Sequence, residues 1–196
     1  MQFSGKTGAK TNSGSNTPAG RFVLTFIVLF VAFYYFHIFY FGVTSPGNHY
    51  SAFLAEHLNY IKGLRWLLLK SSVQVLNWFG FVAITSDYEL MVPGHTILQL
   101  VYSCLGLGVI SFFSAFVLAY PAKCKSKLIF LIGGILGIEV LNVMRFVLLS
   151  LYWSSNKNRV IDHHIIFNII IYLIIAITLY FWVKRNGILI NNNAAN

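Results

Sequence analysis

Charge is scarce in this chain. Only 10% of its 196 residues are Asp, Glu, Lys or Arg, and only five of those are acidic. A water-soluble domain carries about 25% charged residues, so a fold with a solvated surface is excluded on composition alone. Cysteine is equally rare, confined to Cys104 and Cys124. The chain lacks a Cys-x-x-Cys pair and any Cys/His spacing of a metal site, so neither a metal nor an organic cofactor is implied. It also lacks an internal repeat. A formal charge of +9 does not point to nucleic acid, because the basic residues sit in short clusters between apolar runs rather than along one soluble face.

What the chain has instead is hydrocarbon. Hydrophobic residues make up 57%, against about 45–50% in a soluble domain, and the mean hydropathy is +0.70. The pattern reads as an all-α polytopic membrane protein of about four to five transmembrane helices. Residues 1–20, rich in Gly, Ser, Thr and Asn, read as a disordered N-terminal tail. Residues 21–185 form a single transmembrane helical domain and 186–196 a polar C-terminal tail. Residues 21–43 suit one span of about 20 residues. That run is too long for a cleaved signal peptide, and no clean small-residue cleavage site follows it. Residues 64–84, interrupted by Lys70, Gln74 and Asn77, either span or lie in the interface as an amphipathic helix. Residues 85–100 read as a small hairpin around Pro93-Gly94. Spans at about 101–120, 128–153 and 164–183 follow, separated by Lys123, Lys125 and Lys127 and then by Asn156-Lys157-Asn158-Arg159.

Basic residues accumulate on the cytoplasmic side. With the Lys123–Lys127 loop and Lys184/Arg185 inside, two arrangements give eight basic residues inside and five outside. One has the N-terminus inside and 64–84 not spanning; the other has the N-terminus outside and 64–84 spanning. Both turn Cys104 and His164 outward. Cys104 and Cys124 then lie on opposite faces, which argues against a disulfide between them.

Ionisable groups inside a bilayer are costly and mark function by default. Arg145 lies within the span at 128–153. It is eight residues before Trp153, roughly 12 Å along a helix, so its side chain can snorkel to the outer face. Cys104 sits near the start of one span, and His163 and His164, preceded by Asp162, at the start of another. A thiol, a guanidinium and an imidazole thus share one depth. That set suits thiol attack on a carbonyl: Cys as nucleophile, His as general base and then acid, Arg as electrostatic support for the thiolate or the oxyanion. Gly106 and Gly108 would let a substrate helix or a neighbouring span approach. Each residue also has a plainer reading. Cys104 alone would be a small core residue, Arg145 would pair with Glu139 or cap backbone carbonyls, and the histidines would be interfacial. Glu139 and Asn142 read as supporting hydrogen-bond partners.

The stretch Ile97-Leu98-Gln99-Leu100-Val101-Tyr102-Ser103-Cys104-Leu105-Gly106-Leu107 resembles the cysteine block of the exosortase/archaeosortase family. Leu141-Asn142-Val143-Met144-Arg145 is similar to its Asn-x-x-Arg helix, and a histidine heads the last span. The likeness covers roughly residues 64–183, in the family's order. It implies a membrane-embedded cysteine peptidase/transpeptidase without cofactor, in the cytoplasmic membrane, with its site toward the outer face. Its substrates would be exported proteins with a C-terminal motif, one transmembrane helix and a basic end. By the same resemblance Cys104 would be the nucleophile, Arg145 the electrostatic partner and a histidine the base. His164 is preferred, with His163 or Asp162 assisting. Two positions depart from the pattern: Leu105 replaces a frequent polar residue, and Asn168 (or Phe167, counting from His163) stands where a Gly often follows the His by four. The alternative is a non-catalytic membrane assembly or export factor on the same scaffold. A small transporter fits less well, because few polar residues lie near the midplane.

Overall fold

The structure is a computed structural model. It describes residues 18–45, 50–95, 97–152 and 163–194, with side chains over 19–45, 50–95, 97–152 and 167–187.

Helix α1 runs Pro18–Thr44. Proline fits at a helix start, where its missing N–H has no intrahelical partner anyway. Phe22, Phe26 and Phe30 recur every four residues and so share one face. Their rings form a stacked ladder that meets Phe112 and Phe116 edge-on at 5.4 Å. This aromatic seam holds α1 against α4, and the opposite face of α1 is left for lipid. Short α2 covers Ala52–His57.

Helix α3, Tyr60–Trp78, starts where the Asn59 side chain accepts the Lys62 amide at 2.9 Å, a hydrogen-bonding N-cap. Ile61, Arg65, Leu68, Leu69, Ser72 and Leu76 are buried at spacings of three and four, while Trp66 and Trp78 are exposed. That one-sided burial is amphipathic. Four helical segments are long and apolar enough to cross a membrane: Ala19–Thr44, Tyr102–Ala119, Cys124–Tyr152 and Phe167–Gly187. Helix α3 is not among them. Of the two readings of 64–84, its pattern matches the amphipathic one.

The segment before the next span is a three-stranded antiparallel meander rather than one hairpin. Its strands are β1 (Ile84–Thr85), β2 (Glu89–Met91) and β3 (Leu98–Gln99), with Ile84 opposite Met91 and Glu89 opposite Gln99. After β2 the His95 amide donates to the Val92 carbonyl at 2.9 Å, with Gly94 at φ +83°. Proline followed by a positive-φ residue makes this a type II turn. Leu90, Val92 and Leu100 are buried toward α3 and the turn that follows. The Arg65 guanidinium sits 4.4 Å over the Tyr88 ring and ties α3 to the sheet.

A 3-10 turn, Tyr102–Leu105, leads into α4, Leu107–Ala119. Helix α4 stops before Pro121, with Tyr120 extended as a residue preceding proline should be. Helices α5 (Cys124–Tyr152) and α6 (His163–Ala194) complete the chain. Helix therefore covers 18–20 and 186–194, which the sequence reading gave to the tails; 1–17 lie outside the described residues. Two apolar cores result. One gathers α3, the sheet, the 3-10 turn and Phe146–Val147 of α5 around Cys104. The other joins α4, α5 and α6 through Phe113, Val117, Ile138, Ile175 and Trp182.

Candidate active site

Cys104 is the third residue of the 3-10 turn, its amide bonded to the Val101 carbonyl at 2.9 Å and its side chain 6% exposed. Two residues before it, Tyr102 packs on Phe41 of α1 with ring centroids 4.5 Å apart. Two residues after it, Gly106 takes φ +71° and caps α4 with no side-chain hydrogen bond. A left-handed φ is costly for any residue with a Cβ, and here a Cβ would also collide with the Asn142 side chain. Gly106 thus makes room for α5 and turns the chain sharply. The first amides of α4, which have no intrahelical acceptor, therefore start next to Cys104.

Arg145 does not snorkel. It is 4% exposed and turns into the protein. Its Nη2 donates to the Cys104 carbonyl at 2.7 Å and its Nη1 to Asn168 Oδ1 at 3.1 Å. A rigid fork with several donors suits such two-way bridging. The guanidinium interacts electrostatically with both Cys104 and Glu139. Its Nε has no hydrogen-bond partner among the described residues.

Asn142, one turn before Arg145 and 2% exposed, presses its amide against Gly106. Its Nδ2 is unpartnered among the described residues, as are both Glu139 carboxylate oxygens. Of the two plainer expectations for Arg145, the hydrogen-bonded pair with Glu139 does not form, whereas the cap on a backbone carbonyl does, at Cys104. Three polar side chains, at 139, 142 and 145, line one face of α5 close enough to interact, yet without well-aligned hydrogen bonds at Glu139, Asn142 Nδ2 or Arg145 Nε among the described residues. Buried polar groups are seldom left so.

The structure brings Cys104, Gly106, Asn142 and Arg145 together. Asp162 lies outside the described residues, and so do the side chains of His163 and His164; α6 begins with that pair. Asn168 is the residue sequence reasoning missed. It stood out only for replacing a frequent glycine, yet it is the acceptor that joins α6 to Arg145. A buried arginine in need of acceptors was the signal available. His37 was also passed over; its Nδ1 is hydrogen-bonded to the Tyr60 hydroxyl at 2.6 Å and links α1 to α3. Cys124 is exposed at the start of α5, beyond the far end of α4 from Cys104, and both thiols are free. Among the described residues no cluster of His, Cys, Asp and Glu could hold a metal.

The protein-family model described as transmembrane exosortase matches residues 17–182. No curated protein and no solved structure matches the chain.

Proposed function

The chain belongs to the transmembrane exosortase family, and from that premise we propose that it is a membrane-embedded cysteine peptidase/transpeptidase acting on C-terminal sorting signals of exported proteins. The observation that carries the reading is the Arg145 bridge to the Cys104 turn. It fixes the thiol-bearing backbone and brings a positive charge to the residue that carries the thiol.

In this reading the Cys104 thiolate attacks the scissile carbonyl while a histidine at the head of α6 takes the thiol proton. Charge builds on the carbonyl oxygen, and Arg145 and the uncapped α4 amides stabilise it. The C–N bond breaks, the imidazolium protonates the departing amine, and a thioester remains on Cys104. An acceptor nucleophile, or water, then attacks the thioester and the thiol is restored. His164 is the preferred base. A spacing of four places position 164 on the face of α6 that carries Asn168, and Asn168 faces Arg145.

Charge supports an outward-facing site. If α3 does not cross, Lys6, Lys10, Arg21, Lys123, Lys125, Lys127, Lys184 and Arg185 fall on one side, eight in all. Lys62, Arg65, Lys70, Lys157 and Arg159 fall on the other, five in all. The richer side is cytoplasmic. The alternative, a non-catalytic assembly or export factor, is favoured by one observation, the burial of the thiol. Comparing Cys104→Ala with Cys124→Ala in the native cell separates the two. Exported proteins with a helix-plus-basic tail stay uncut only in Cys104→Ala if the enzyme reading holds. Normal processing in both variants overturns it.

A further inference from the structure

The groove between α5 and α6 takes no part in the site around Cys104. Its volume is about 800 Å³. It runs along α5 from Ser126 to Leu141, roughly 22 Å at 1.5 Å per residue. Its floor is a glycine edge: the positions where Gly133 and Gly137 would carry a Cβ open onto empty space. On α6, Trp182 forms part of the wall and stacks on Phe130 of α5 at 4.6 Å. Polar groups gather at one end, where Lys123, Ser126, Arg185 and Asn186 meet. Ser126 donates to Asn186 Oδ1 at 3.2 Å, and Asn186 Nδ2 donates to the Trp182 carbonyl at 2.9 Å. Among the described residues no acidic side chain pairs with Lys123 or Arg185.

An apolar cleft in a bilayer does not stay empty, because its walls would forfeit dispersion contacts. Two kinds of membrane occupant compete for this one. The transmembrane tail of a sorting signal would bring its basic end against Lys123 and Arg185, and like charges repel. A phospholipid with an anionic headgroup instead brings opposite charge to Lys123 and Arg185 and hydrocarbon to the apolar remainder of the groove.

We propose that this groove binds an anionic phospholipid of the cytoplasmic leaflet, its phosphate between Lys123 and Arg185 and its acyl chains over Gly133 and Gly137. The choice of leaflet rests on the inward placement of the Lys123–Lys127 loop; the lipid chemistry is independent of catalysis. The full chain in nanodiscs of equal phosphatidylcholine and phosphatidylglycerol, ejected into a native mass spectrometer, reports which lipid stays bound. Wild type retains phosphatidylglycerol with a preference of roughly 30-fold, from about fivefold per basic residue near an anionic headgroup. Lys123→Gln combined with Arg185→Gln removes that preference. Gly137→Leu fills the groove and lowers retention of both lipids. The glutamine pair changes only exposed residues, so it keeps the test readable should Gly137→Leu fold poorly. Equal retention of the two lipids by wild type overturns the proposal, as does an undiminished preference in the glutamine pair. So does a photo-crosslinker at Thr178 that captures a protein helix and no lipid. None of these readouts depends on peptide processing, so failure of the catalytic reading leaves them unchanged.

Discussion

Arg145 on α5 donates a 2.7 Å hydrogen bond from Nη2 to the backbone carbonyl of Cys104, 41 residues earlier in the chain. A buried cation has thus been spent on a peptide carbonyl rather than on a carboxylate, although Glu139 lies nearby on the same helix. The bond fixes where the Cys104 backbone sits relative to α4, α5 and, through Asn168, α6.

Arg145→Lys keeps the charge and loses the fork. A lysine ammonium cannot hold the Cys104 carbonyl and Asn168 in one plane. Charged hydrogen bonds are each worth about 1.5–3 kcal/mol, so processing of sorting-signal substrates should fall roughly ten- to hundredfold. Pulse-chase of a reporter substrate, with membrane insertion checked separately, measures this. Wild-type rates in Arg145→Lys would sink the fork argument.

Asn168 is expected to matter through its oxygen. Asn168→Asp retains an acceptor for Arg145 and should keep most activity, whereas Asn168→Leu leaves Nη1 unpaired at a cost of about 1–3 kcal/mol. Melting temperatures of the two purified variants should separate accordingly, with the leucine variant lower. Equal melting would mean that the Arg145–Asn168 bond contributes nothing.

Gly106→Ala combines two penalties: a left-handed φ of +71°, costing about 1–2 kcal/mol, and a collision with Asn142. Asn142→Ala should relieve only the second. A double-mutant cycle on thermal stability should therefore show coupling between the sites of about 0.5–3 kcal/mol. Strict additivity would place the strain in the backbone alone.

Thiol labelling tests both burial and side. Cys104 is buried and Cys124 exposed. A membrane-impermeant maleimide should therefore label intact cells weakly, and should label Cys124 fast once the membrane is permeabilised. Rapid labelling of Cys124 in intact cells would invert the orientation.

Tyr60, at the start of the amphipathic α3, has its phenol pushed up to about 12 from 10, first by burial and then by the neighbouring Tyr102 and Tyr40. The neutral phenol is the form the fold prefers. Its contribution to stability is complete below pH 10 and is lost as pH rises toward 12. Tyr60→Phe should flatten the alkaline fall in melting temperature over that window, and an unchanged slope would show that other groups govern it.

The spans were legible because a bilayer imposes a simple rule: a run of about 20 apolar residues. The Pro93-Gly94 turn was legible for the same local reason, since one dipeptide dictates its geometry. Strand β1 was not, because two residues, Ile84 and Thr85, carry no periodicity and pair only through tertiary placement. Cys104 and Arg145 were singled out as polar residues expected at one depth, and the structure joins them through the Cys104 carbonyl. Depth says nothing of azimuth, however. Arg145 was expected to reach outward to water and instead turns inward, because the Cys104 carbonyl and Asn168 offer acceptors that sequence spacing cannot reveal. Nor could spacing foresee that Gly106 is shaped around Asn142, since that collision is between segments 36 residues apart in sequence.

Helix α4 has 13 residues and its neighbour α5 has 29, or roughly 20 Å against 43 Å. No single bilayer, with a hydrocarbon core of about 30 Å, matches both. The 3-10 turn extends α4 into an 18-residue span, Tyr102–Ala119, and α3 and the sheet pack on that turn around Cys104. Bilayer thickness should therefore bear on the turn that holds Cys104. Longer lipid chains would press on these elements and shorter ones would slacken them, which would make acyl-chain length act on this protein as ionic strength acts on a soluble, charged one.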